Sequence, residues 1–308
     1  MTTVPPAPAV RARSPILAGI GLMLAGVFLF SFVDALGKYL VTTYAVGQLL
    51  WLRACMAFVL MAPAIWRQRD AFRRLERPWL QALRIVLSTG EVAAFFLASI
   101  HLPLADLITF YLAGPIYVTA ASALFLREQV GWRRWSAVAV GFVGVLIALR
   151  PSGAGLGWPS LVALGGSLSF AALMIVTRML RATPDIVLAS SQFAGTFLFG
   201  LVLTPFGWVT PTLPHLALFL LCGATAVGAL MCVNRSLKLA PASVVVPYQY
   251  TMIVWAVIFG LVVFGDVPAP ATLVGAAIII AAGVYIFLRE RAVARAGAAT
   301  AAFEPPPA

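Results

Sequence analysis

The sequence predicts an all-α polytopic membrane protein, ten transmembrane helices arranged as two inverted repeats of five. Three observations lead there. Of 308 residues, 62% are hydrophobic and only 10% carry a charge, whereas a soluble domain is charged at about 25% of its positions. The apolar residues arrive in long runs, and a helix of ~20 such residues crosses ~30 Å of hydrocarbon. The basic residues fall mostly between those runs, in every second connection. An ordinary cytosolic enzyme, a disordered chain and a secreted disulfide scaffold are thereby excluded.

Breaks at charged, proline and glycine clusters divide the chain into ten segments. The first five are Pro15–Gly37, Val46–Trp66, Leu80–His101, Leu104–Leu126 and Arg133–Arg150. The second five are Gly157–Met179, Ile186–Phe206, Pro214–Leu237, Ser243–Phe264 and Ala271–Leu288. None alternates with period two, and lipid admits only helices or closed barrels because every backbone polar group must be satisfied internally. The first run follows Arg11 and Arg13 but is longer than the ~7–15 residues of a signal-peptide core, so it reads as the first membrane helix. The Pro/Ala-rich ends, 1–14 and 291–308, read as disordered cytoplasmic tails.

With both termini inside, 18 of the 21 Lys and Arg fall on the cytoplasmic side, Arg73, Arg77, Arg84 and Arg134 among them; Lys38 and Arg150 lie outside and Arg53 within a span. That bias is the positive-inside pattern, and it accounts for the net charge of +11 without nucleic acid. Cys55, Cys222 and Cys232 sit inside apolar runs with no CxxC spacing, which fits packing rather than a disulfide or a zinc site. His101 and His215 lack a metal-ligand set, and neither a P-loop nor a GxSxG nucleophile is present, so no catalytic residue, metal or cofactor is expected.

The two halves, 15–150 and 151–290, echo one another. Ser31-Phe32 recurs as Ser169-Phe170, and Gly144-Val145-Leu146-Ile147-Ala148-Leu149-Arg150 recurs as Gly283-Val284-Tyr285-Ile286-Phe287-Leu288-Arg289. Leu104-Ala105-Asp106 opens the fourth span much as Pro241-Ala242-Ser243 opens the ninth. Five spans is an odd number, so the second copy enters the membrane from the opposite side. Inverted repeats with a site at their interface are a transporter architecture.

A charge at mid-bilayer costs ~2.5–3.5 kcal/mol on insertion scales, so each charge within a span needs a reason. Asp34 and Lys38 lie four apart on one helix face; they form a solvated pair at the outer mouth or act in gating and substrate contact. Arg53, ~10 Å below the outer surface, and Glu91, ~15 Å deep, either pair between helices or leave Glu91 free to face a cavity as a proton-accepting or cation-binding carboxylate. Pro115 after Gly114 interrupts the fourth span among Thr109, Tyr111 and Tyr117, as a hinge or as a packing kink. Pro247 does the same early in the ninth, followed by Tyr248, Gln249 and Tyr250, one or two of which face the cavity. Trp255 lies too deep for an interfacial anchor and is a further lining candidate, while Arg178 and Asn234-Arg235 suit the headgroup region. Aromatic walls with a few polar groups suit a heterocyclic or zwitterionic ligand.

From about Gly19 to Leu288 the chain resembles the EamA-type branch of the drug/metabolite transporter superfamily. The resemblance rests on Gly114-Pro115, Arg127-Glu128, and Arg133-Arg134-Trp135 leading to Gly141-Phe142-Val143-Gly144. Asp34-Ala35-Leu36-Gly37-Lys38-Tyr39-Leu40 and Pro247-Tyr248-Gln249-Tyr250 look like the S-adenosylmethionine uptake carriers of intracellular bacteria. The resemblance implies ten helices, one central substrate cavity lined by both halves and a place in a bacterial inner membrane. Riboflavin importers and amino-acid exporters share the fold, and a non-transporting membrane scaffold is the competing class. The expected partners are a small-molecule substrate and the lipid bilayer, with a homodimer allowed.

Overall fold

The computed structural model describes residues 15–72, 77–114, 116–117, 132–149, 157–180, 182–239 and 245–301. Within them lie ten α-helices. The first half contributes α1 (Pro15–Val41), α2 (Val46–Arg67), α3 (Pro78–Ser99), α4 (Leu104–Leu112) and α5 (Trp132–Leu149). The second contributes α6 (Trp158–Met179), α7 (Asp185–Leu203), α8 (Leu213–Leu239), α9 (Met252–Phe259) and α10 (Pro270–Ala301). Six of them are long and apolar enough to cross a membrane.

Proline and glycine set many of the boundaries. Pro78 starts α3 and Pro159 the first turn of α6, positions where a missing N–H costs nothing. The ninth span is broken in the way Pro247 leads one to expect: a tight 3-10 stretch, Val246–Thr251, runs into α9. A widened π-type turn, Gly260–Phe264, follows, and Gly265 closes it at φ 68°, donating its N–H to the Leu261 carbonyl. α10 runs to Ala301, past the start of the tail expected to be disordered from 291; Ala and Arg are strong helix formers, so the helix continues beyond its apolar run.

The packing obeys the inverted repeat. α1 packs along α8, and α3 packs along α6, its counterpart under the exchange of halves. α2 against α8 is matched by α7 against α3, and α1 against α9 by α6 against α4. Three further pairs, α2–α7, α4–α9 and α5–α10, join a helix to its own counterpart and so cross the pseudo-two-fold axis. At one crossing two glycines meet: a Cβ on Gly200 would lie 2.5 Å from the Gly47 carbonyl oxygen and 2.6 Å from the Trp51 nitrogen. Only bare backbone permits that approach, as in small-residue contacts between membrane helices.

Large apolar side chains such as Val59, Val86, Leu198 and Val262 are exposed on the outside of the bundle, an apolar surface of membrane type. Exposed Trp66, Trp79 and Trp132 ring one end; Trp158 and Trp208 sit at the other, the end to which Lys38 belongs. Two aromatic belts at the ends of an apolar band mark the two interfaces.

Candidate functional site

Between the halves lies a cavity of about 230 Å³. α1 to α4 and α6 to α9 supply its walls, the last through Met252 and the 3-10 stretch before it. α5 and α10 pack on each other away from it. Valine, leucine and phenylalanine dominate the lining, among them Phe30, Phe95, Phe170 and Phe193.

The polar groups divide unequally. Among the described residues every charged member of the lining, Asp34 (α1), Arg53 (α2), Arg84 and Glu91 (α3), comes from the first repeat. The second repeat offers neutral groups: Thr177, Gln192, Asn234, Gln249 and the Tyr250 hydroxyl. Arg53 is buried, its guanidinium stands over the Phe96 ring at 5.3 Å, and its Nε has no hydrogen-bond partner. The Arg53–Glu91 ion pair weighed from sequence is not made; Arg53 forms no ion pair with any described residue.

Tyr111 lines the cavity and donates its hydroxyl to the Glu91 carbonyl at 3.3 Å, with Gly166 leaving room for it. Gln249 and Tyr250 line it too, and the Tyr250 hydroxyl is buried without a partner. Tyr248 turns instead into the cluster of Met23, Val27 and Val245. Trp255 stacks edge-on against Phe28 at 4.8 Å, outside the lining. Pro115 lies outside the described residues. Thr109, offered as a ligand group, donates its hydroxyl to the Ala105 carbonyl of its own helix.

Lys38 is not Asp34's partner. Its ammonium reaches Asp266 Oδ2 at 2.7 Å and stands 4.6 Å from the centre of the Phe264 ring. The π-type turn and Gly265 set Asp266 there, the Asp266 N–H bonding back to Gly260 O at 2.9 Å. Two more ties close the same end. The Tyr44 hydroxyl meets His215 Nδ1 at 2.7 Å, and the Gln48 amide both donates to Val209 O (2.7 Å) and accepts from Val209 N (3.2 Å).

Sequence reading missed Arg84, which the charge pattern places among the cytoplasmic residues. The side chain is 4% exposed. It donates to Thr177 Oγ1 (3.0 Å), the Leu188 carbonyl (2.8 Å) and Gln192 Oε1 (3.4 Å). Gln81, one turn earlier, donates to Thr183 Oγ1 at 3.1 Å. These ties fasten the start of α3 to α6, α7 and their connection. The inverted repeat repeats the arrangement at the Lys38 end, where the start of α8 meets the α1–α2 connection through His215 and Tyr44. Each end of the cavity is therefore clasped by one helix start against the other repeat. Asn234, assigned from sequence to the headgroup region, lies on the cavity wall.

A ten-helix bundle of two inverted halves around a charged and aromatic cavity defines a carrier of the drug/metabolite type. The family profile that matches residues 17–150, and again 157–289, is that of the EamA-like transporter family, to which the chain belongs. A riboflavin transporter of Rhizobium johnstonii is 28% identical over 92% of this chain and 94% of that one. An S-adenosylmethionine uptake transporter of Rickettsia bellii is 27% identical over 89% and 94%, and a pseudopaline exporter of Pseudomonas aeruginosa 26% identical over 86% and 94%. A solved crystal structure superposes with TM-score 0.62 at 17% identity, covering 90% of this chain and 99% of that one, and so shares the fold. The chain is a small-metabolite transporter.

Proposed function

We propose that the protein is a secondary carrier that moves a small organic metabolite across a bacterial inner membrane by alternating access. The observation that carries this reading is the cavity at the interface of the two repeats, with charges held inside the membrane's depth. Such charges are costly to insert and belong to substrate or ion pathways. The clasps at the two ends open in turn as the halves rock around the site. The positive-inside bias orients both termini to the cytoplasm, so the Lys38 end faces outward.

The names of the relatives and the aromatic lining favour an S-adenosylmethionine-like compound, riboflavin or an amino acid. In this reading Asp34, Arg53 and Glu91 meet the polar part of the substrate, while Tyr111 and Tyr250 stack on or bond to it. Glu91, deepest of the acids, binds the coupling proton or cation. Purified protein in liposomes tests the reading with labelled S-adenosylmethionine, riboflavin and amino acids. Saturable flux with counterflow supports it; no saturable flux across that panel overturns it.

A further inference from the structure

We propose that Arg84 is the anion-reading residue of the cavity, and that the substrate carries a carboxylate that meets it; this rests on the carrier reading above. Arg84 is 4% exposed, and its three hydrogen-bond partners are all neutral. Among the described residues no carboxylate pairs with it. A guanidinium has five N–H donors, so the three bonds leave two donors and the whole charge unmet. Buried charges are paired, and here the missing partner is supplied by what enters the cavity.

A carboxyl group stands at the other end of the same wall: Glu91 is seven residues along α3, two turns on and therefore on the same face, about 10 Å away along the axis. Between the two levels the lining is apolar: Phe30 lies one turn from Asp34 on α1, and Met174 one turn from Thr177 on α6. A ligand with a carboxylate at the Arg84 end and a flat or apolar body beyond it matches that pattern.

The test compares ligands that differ only in the carboxylate: S-adenosylmethionine with its decarboxylated analogue, and phenylalanine with phenethylamine. Binding is read as the ligand-induced rise in melting temperature of the detergent-solubilised protein, so an absence of flux in liposomes bears on the carrier reading alone. The wild-type protein is expected to bind a carboxylate-bearing member about ten-fold more tightly than its partner. Arg84→Gln should erase that preference, and Arg84→Lys should retain part of it. Wild-type protein without such a preference in either pair, or an Arg84→Gln variant that keeps it, overturns the assignment. If Arg84→Gln does not fold, the wild-type comparison and the Arg84→Lys variant decide.

Discussion

Lys38 and Asp266, 228 positions apart in the chain, are joined at 2.7 Å where the first helix meets the connection between α9 and α10. The lysine side chain is 10% exposed and the aspartate 29%, so the pair is more sheltered than a surface ion pair. It bridges the two repeats, and its strength weighs on how often that end opens. Lys38→Met, in a background with Cys55, Cys222 and Cys232 replaced, should raise the reactivity of a thiol placed at Phe30 toward an impermeant maleimide. The rise should be roughly five-fold, the equivalent of about 1 kcal/mol. The exchange Lys38→Asp with Asp266→Lys should recover much of the protection; equal labelling in all three proteins would mean that the pair does not restrain the opening.

Gln48 is buried and holds both the N–H and the carbonyl of Val209. Leucine fills a similar volume but leaves those backbone groups unpaired. Gln48→Leu should therefore cost about 1–3 kcal/mol, read as a lower melting temperature. An unchanged melting curve would show that water replaces the amide.

Gly200→Ala drives a methyl into the Gly47 carbonyl and the Trp51 nitrogen, backbone atoms that cannot turn aside. A loss of about 1–3 kcal/mol is expected. Gly90, on the exposed side of α3, has open space where a Cβ would sit, with no neighbouring atom within 4 Å. Gly90→Ala should stabilise by about 0.5–1 kcal/mol through helix propensity alone. The two alanines should shift the melting temperature in opposite directions.

If Glu91 carries the coupling proton, Glu91→Gln removes the response of uptake to an imposed pH gradient, while Asp34 in the same lining keeps its carboxyl. A variant whose uptake follows the pH gradient as the wild type does would remove Glu91 from the coupling.

The Tyr250 hydroxyl is buried at the cavity wall with no partner. Removing an unsatisfied group does not weaken the fold, so Tyr250→Phe should melt at or above the wild-type temperature. Substrate affinity should fall about 2–10-fold, the worth of one hydrogen bond. Unchanged affinity would show that the hydroxyl does not meet the ligand.

Much of this fold is written in run lengths and charge, since a span needs only enough apolar residues and an odd span count forces the inversion. Asp34, Arg53 and Glu91 are legible for the same reason: a charge in a span is conspicuous. Arg84 is not, because five basic residues precede it from Arg67 and it reads as the last of the loop. Pro78 is the signal that could have found it; a helix beginning there puts Arg84 about 9 Å inside it. Thr177, Gln192 and Asn234 escape because a single neutral polar group lowers the mean hydropathy of a ~19-residue window only slightly and carries no charge to mark it. Trp255 shows a different limit. A span apolar on every side has no moment to tell which face turns inward, so depth is readable and rotation is not. The partner of Lys38 lies beyond any local pattern.

The unequal distribution of charge between the halves bears on how such a protein changes its cargo over evolutionary time. The four charged residue types are costly to insert, and Thr177 and Gln192 are tied to one of them, Arg84. Asn234 and Gln249 carry no such tie among the described residues, and exchanging either for another small polar side chain would reshape what fits while the electrostatic frame stays put, leaving part of one duplicate free to drift toward new compounds.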